Sequence, residues 1–122
     1  MTTTLIEGPH AGEFILSEAN GQLSREQVTI ENGQDLLAGH VLGEVTSSGE
    51  FKEYDPGNAD GSETAVAVLY DDVDATGGAK SAAIVRRNAE VDGKRLTWFD
   101  GASSAQKDTG IAELADNDII VR

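Results

Sequence analysis

The chain has 122 residues, 39 % of them hydrophobic and 5 % aromatic, no cysteine, and a net charge of −13 from nine Lys+Arg against 22 Asp+Glu. The length suits one packed core and not two, the charge argues against direct nucleic-acid binding because it repels phosphate backbones, and the lack of cysteine excludes disulfides, thiolate metal sites and a cysteine nucleophile. The longest apolar runs, at 65–70 and 81–85, fall far short of the roughly 20 residues that span a bilayer, so no membrane segment is expected.

Residues 1–12 have no amphipathic period and contain Gly8-Pro9 and Gly12, which predicts a flexible amino-terminal arm ahead of a single domain over 13–122. Thr2, Thr3, Thr4, Leu5 and Ile6 have strand propensity but no evident partner, because Gly8 and Pro9 interrupt a direct continuation. The start has neither the basic residues nor the long apolar stretch of a secretory signal, so synthesis and use in a cytoplasm are expected.

From Glu13 onward the punctuation is that of a β-protein. Asn20-Gly21, Asn32-Gly33, Asp60-Gly61, Asp92-Gly93 and Asp100-Gly101 are dipeptides that favour tight reversals. Between them, 14–17, 27–30, 41–45, 51–54, 65–70, 82–86, 90–91 and 119–121 read as short strands, with the larger core side chains supplied by Phe51, Tyr54, Tyr70, Trp98 and Phe99. Strands at this spacing predict a mainly β fold, a compact barrel or sandwich. Two short helices are predicted: 34–38, ending before Gly39, and 104–115, with Ser103 or Ser104 as N-cap, Ile111, Leu114 and Ala115 as apolar stripe, and Gly110 as a flaw in its middle. Residues 71–80 are polar and Gly-rich and read as a mobile loop.

Few residues are arranged for chemistry. His10 and His40 are the only histidines; a pairing of Ser48 with His40 has no nucleophile-elbow glycines to support it, and surface or turn positions explain both histidines. Residues 55–61 look faintly like a calcium loop, but with Gly61 at the sixth position Pro56 falls at the first and Ala67 at the twelfth, where a carboxylate is required; a wide turn is the better reading. Asp71, Asp72 and Asp74 read as solvated loop carboxylates, since adjacent strand positions point to opposite faces. Residues 77–81 lack the spacing of a phosphate-binding loop. No catalytic residue, metal ligand or cofactor is predicted.

Arg86-Arg87 and Lys94-Arg95 are the paired basic residues of an acidic chain, suited to internal salt links or to docking an acidic surface. Trp98 and Phe99 are adjacent, so on a strand one faces inward and the other outward. An exposed aromatic there would anchor a neighbouring subunit, unless the carboxy-terminal helix covers both. Trp98, Phe99, Arg86 and Arg87 are therefore the candidate subunit-interface residues.

The order Gly39-His40-Val41-Leu42-Gly43, then 49–56 with Asp60-Gly61, then 65–69, 82–86, Leu96-Thr97-Trp98 and the closing 114–122 resembles the bacteriophage lambda-type head decoration (protein D) family over nearly all of the chain after Glu13. The motifs are glycines and apolar strand residues, so the resemblance rests on order and spacing. It implies a β-clip type of fold and a homotrimer on the outside of the expanded phage capsid at threefold positions. It further implies the major capsid protein as partner, synthesis in the host cytoplasm, no catalysis, and an arm over Thr2, Thr3, Thr4, Leu5 and Ile6 that orders on the shell. The arm departs in sequence from the lambda protein.

Two other classes were weighed. A trimeric dUTPase-like domain would need an Arg before Ser47-Ser48-Gly49 and a matching Asp motif, and neither is present. A small β-rich ligand-binding module, for carbohydrate or calcium, would be expected to carry an export signal, disulfides or a convincing ligand loop.

Overall fold

The computed structural model describes residues 10–21 and 23–122. In chain order its strands are β1 (Ile15–Glu18), β2 (Arg25–Ile30), β3 (Asp35–Leu36), β4 (Val41–Glu44), β5 (Phe51–Glu53), β6 (Ala67–Leu69), β7 (Val73–Asp74), β8 (Lys80–Val85), β9 (Ala89–Val91) and β10 (Ile119–Val121). A 3-10 turn (Gly93–Arg95) follows β9, and one helix, α1 (Ser104–Asp116), precedes β10.

Successive strand residues face opposite ways, and the central strands here are apolar on both faces. Leu42 of β4, Ala67 and Leu69 of β6 and Ile84 of β8 meet Ile30 of β2 and Phe51 of β5 in one buried cluster. Val41, Val68 and Val85, one position away on the same strands, join a second cluster with Phe14, Tyr54, Phe99, Leu114 and Ile119. Strands with two buried faces read as unbroken apolar runs rather than as alternation, which is why 65–69 carries no polar residue.

The first cluster fills a closed barrel in the order β2-β5-β4-β6-β8. The β2–β8 ladder runs antiparallel from Arg25 opposite Val85 to Ile30 opposite Lys80, and the barrel closes through a short parallel contact between Ile30 and Phe51. The second cluster lies where α1 and a three-stranded sheet, β1-β9-β10, cover the outside of the barrel. A mainly β barrel of short strands, compatible with a β-clip, is thus the architecture.

Two local expectations are corrected. Residues 34–38 form no helix: β3 pairs with β7 through Asp35 opposite Asp74 and Leu36 opposite Val73. Five residues between Gly33 and Gly39 are too few to repay helix nucleation. The 71–80 stretch offers them partners instead, with Gly33 N–H donating to Ala75 O at 2.8 Å, Ala75 N–H to Gln34 O at 2.7 Å and Ala38 N–H to Asp72 Oδ1 at 2.8 Å. For the same reason 71–80 is not simply a loop, since β7 lies within it. Leu36 is buried and Leu37 is exposed, a period of two and not of 3.6.

Gly12 N–H donates to Tyr70 O at 2.9 Å, and Glu13 N–H donates to His10 O at 3.1 Å in a local turn. Thr2, Thr3, Thr4, Leu5 and Ile6 lie outside the described residues.

Candidate docking surfaces

Helix α1 starts at a reciprocal cap: Gln106 N–H donates to Ser103 Oγ at 3.2 Å, and Ser103 N–H donates to Gln106 Oε1 at 2.9 Å. The cap satisfies two of the backbone donors that a helix start leaves free. It also aims Gly110 and Leu114, the buried residues of the helix, at the barrel. There Tyr54 is the hub of an aromatic group, with its ring edge-on to Trp98 at 6.1 Å and to Phe99 at 5.9 Å. Phe99 is core, and Trp98 is partly buried and packed against that core. Of the adjacent pair, Trp98 alone keeps surface to offer a partner.

The Arg86-Arg87 pair sits in a web of carboxylates. Arg86 lies 3.3 Å from Glu26 and 3.6 Å from Glu44, with its guanidinium 5.1 Å from the centre of the Phe51 ring. Arg87 reaches Glu26 at 3.3 Å and donates to Leu23 O at 3.0 Å. Both thus form the internal links that paired basic residues in an acidic chain suggested, while their side chains stay part-exposed. Arg95 pairs with Glu13 and with Asp92, whereas Lys94 has no ion pair among the described residues.

His40 is not a surface or turn histidine. Its ring is buried, with Nε2 2.8 Å from Glu53 Oε2 but without the alignment of a hydrogen bond. Burial disfavours the imidazolium and lowers the His40 pKa, against the opposing pull of Glu53. Ser48 is exposed, and its Oγ accepts from Glu50 N–H at 3.2 Å; the structure does not bring it to His40. Nothing in composition flagged the burial of His40, although its place between Gly39 and the apolar Val41-Leu42 was a signal.

The acidic turns are satisfied from within. Asp60 Oδ1 accepts from the Ser62 hydroxyl at 2.5 Å and from Ser62 N–H at 3.0 Å, and Lys52 stands 3.3 Å from its other oxygen. The Ser62 bonds hold the Asp60 carboxyl at about 2. Asp55 accepts from Gly57 N–H at 2.8 Å, and Asp74 accepts from Thr76 N–H at 3.0 Å and from its hydroxyl. Among the described residues no group of three or more His, Asp or Glu is arranged to hold a metal, and no helix is long and apolar enough to cross a membrane.

Exposed apolar side chains were not anticipated by the sequence reading. Leu16 and Leu23 are 54 % and 56 % exposed, and Leu37 and Ile120 are also exposed. Leu16 sits at an irregularity in the β1–β9 pairing. Ile120 lies beside Glu90 on the parallel β10–β9 pair.

The family model of the bacteriophage lambda head decoration protein D matches residues 4–119. The chain belongs to that family. A comparison with curated proteins found no match. The family is a structural one, its members components of the phage capsid, and capsid decoration is the function that membership supports.

Proposed function

We propose that this decoration protein binds as a homotrimer to the outside of the expanded capsid at threefold positions, where it bridges neighbouring major capsid subunits and resists the pressure of packaged DNA. The observation that carries the reading is the family match over 4–119, almost the full chain. The amino-terminal segment, with Thr2, Thr3, Thr4, Leu5 and Ile6 as contact residues, adds a strand to an open sheet edge of the shell, main-chain hydrogen bonds supplying affinity and alternate side chains register. Three such segments per trimer act together, because the first to dock raises the effective concentration of the other two. A ligand that binds only the expanded shell stabilises that shell by mass action.

Within the trimer, the open edge of Trp98 and the part-exposed Arg86 and Arg87 are the contact candidates from the sequence, with Phe99 supporting Trp98 from the core. The high negative charge keeps free protein soluble before it docks. Synthesis is in the host cytoplasm, and no nucleic acid or cofactor takes part.

Deletion of residues 2–9 tests the arm, since His10 and Gly12 are bonded to the body and are best left in place. The shortened protein is expected to keep its fold and its trimeric mass in solution and to lose capsid binding. Unchanged binding contradicts the role of the arm, and a monomeric mass for both proteins contradicts the trimer.

A further inference from the structure

We infer that the cleft between α1 and the 3-10 turn is a second docking site, for an acidic polypeptide segment that carries an apolar side chain. The cleft encloses about 350 Å³ and is lined by Leu96, Trp98 and Ile111 with Lys94, Lys107 and Asp108. Its three apolar lining residues are only partly covered: Leu96, Trp98 and Ile111 are all of intermediate exposure.

The charge distribution identifies the occupant. Of nine cationic side chains in the chain, Arg25, Lys52, Arg86, Arg87, Arg95 and Arg122 are held in ion pairs. Lys80 acts on Asp74 and helps to lower its pKa. Lys94 and Lys107 have no carboxylate partner among the described residues, although the chain carries 22 carboxylate side chains, and both border this cleft. Two cations without a carboxylate partner among the described residues, beside three apolar side chains, complement carboxylates flanking an apolar anchor, which buries its side chain against Trp98 while the lysines set its register. A nucleic-acid strand fits less well, because Asp108 stands in the cleft and the chain as a whole repels phosphates. Neither Arg86 nor Arg87 lines this cleft; Trp98, the remaining surface candidate for the trimer contact, does.

Trp98 is the one tryptophan of the chain, so its fluorescence reports on the site directly. The full-length protein is titrated with a capped Asp-Glu-Phe-Glu-Asp peptide, with the same peptide carrying Lys in place of each acid, and with a short oligothymidylate. A saturable change in emission with the acidic peptide alone is expected, weakened at least tenfold in Lys94→Glu/Lys107→Glu and unaltered in Lys80→Glu, which reverses one lysine charge elsewhere. Both cleft lysines are exposed and have no carboxylate partner among the described residues, so their replacement is expected to leave the fold intact, which circular dichroism checks. No saturable change at millimolar peptide, or binding indifferent to the double substitution, overturns the inference. Tighter binding of the oligothymidylate would make the site a nucleic-acid one. A change of solution mass in the double variant without peptide would make the occupant another copy of this chain. Either outcome also overturns it.

Discussion

Gly110 of α1 packs against the indole of Trp98: a Cβ at position 110 would stand 2.6 Å from Trp98 Cζ3 and 3.1 Å from Tyr54 Cε2. The residue that reads in the sequence as a flaw in the helix is the one that lets the helix approach the aromatic group. Replacing glycine by alanine in an exposed helix gains about 1 kcal/mol of helix propensity. Here the overpacking outweighs that gain, because Trp98 and Tyr54 are themselves packed edge to face. Gly110→Ala is expected to destabilise the protein by about 1–3 kcal/mol and to shift Trp98 fluorescence. Urea unfolding checks it, and a more stable variant with unaltered emission would contradict the packing described.

A second glycine makes a sharper case. A Cβ on Gly43 would lie 2.5 Å from both Cα and O of Ser62, and those are backbone atoms that no rotamer change removes. Gly43→Ala is expected to cost about 3 kcal/mol or more, more than Gly110→Ala, where the obstructing atoms are side chains. Ranking the two variants by chemical denaturation tests whether the β4 strand and the 60–62 turn are as close as described.

His40 makes stability depend on pH. Its folded-state pKa is lowered by burial, so on acidification the unfolded chain takes up a proton before the folded one does. Stability from this group is complete above the ordinary histidine value of 6.5 and declines as pH falls below it toward the folded pKa. By NMR, the His40 ring should titrate below 6.5. Glu53→Gln should lower it further, since Glu53 is the strongest of the groups that favour the imidazolium. A midpoint above 6.5 would contradict the burial of the ring.

The Asp60–Ser62 turn acts lower on the pH scale. With the Asp60 carboxyl at about 2 instead of the usual 3.8, its contribution is present above 3.8 and is lost as pH falls toward 2. Ser62→Ala removes the hydroxyl donor and should return the Asp60 titration toward its ordinary value, as measured by carboxyl-carbon chemical shifts. An unmoved titration would show that the Ser62 hydroxyl bond is not the cause.

The strand pattern was legible because the apolar residues of β4, β6 and β8 are consecutive, and α1 was legible from Ser103 and Leu114. What could not be read locally depended on partners distant in the chain. Asp35 and Leu36 are strand because Val73 and Asp74 lie beside them. His40 is buried because Thr97 bridges to it from far along the sequence. Arg86 and Arg87 are committed to Glu26 and Glu44 across the barrel. That Lys94 and Lys107 have no carboxylate partner among the described residues becomes visible only after every other cation has been placed. The family resemblance rested on glycines and apolar spacing, and Gly43 shows why: its position is set by close approach to the Ser62 backbone, which constrains spacing more than chemistry.

Capsid decoration is tested most directly by co-sedimentation of the full-length protein with expanded, undecorated shells of its own phage, beside unexpanded procapsids. Saturable binding to the expanded shell alone, at three copies per threefold position, is the expected result. Binding to neither shell, or equal binding to both, would contradict it.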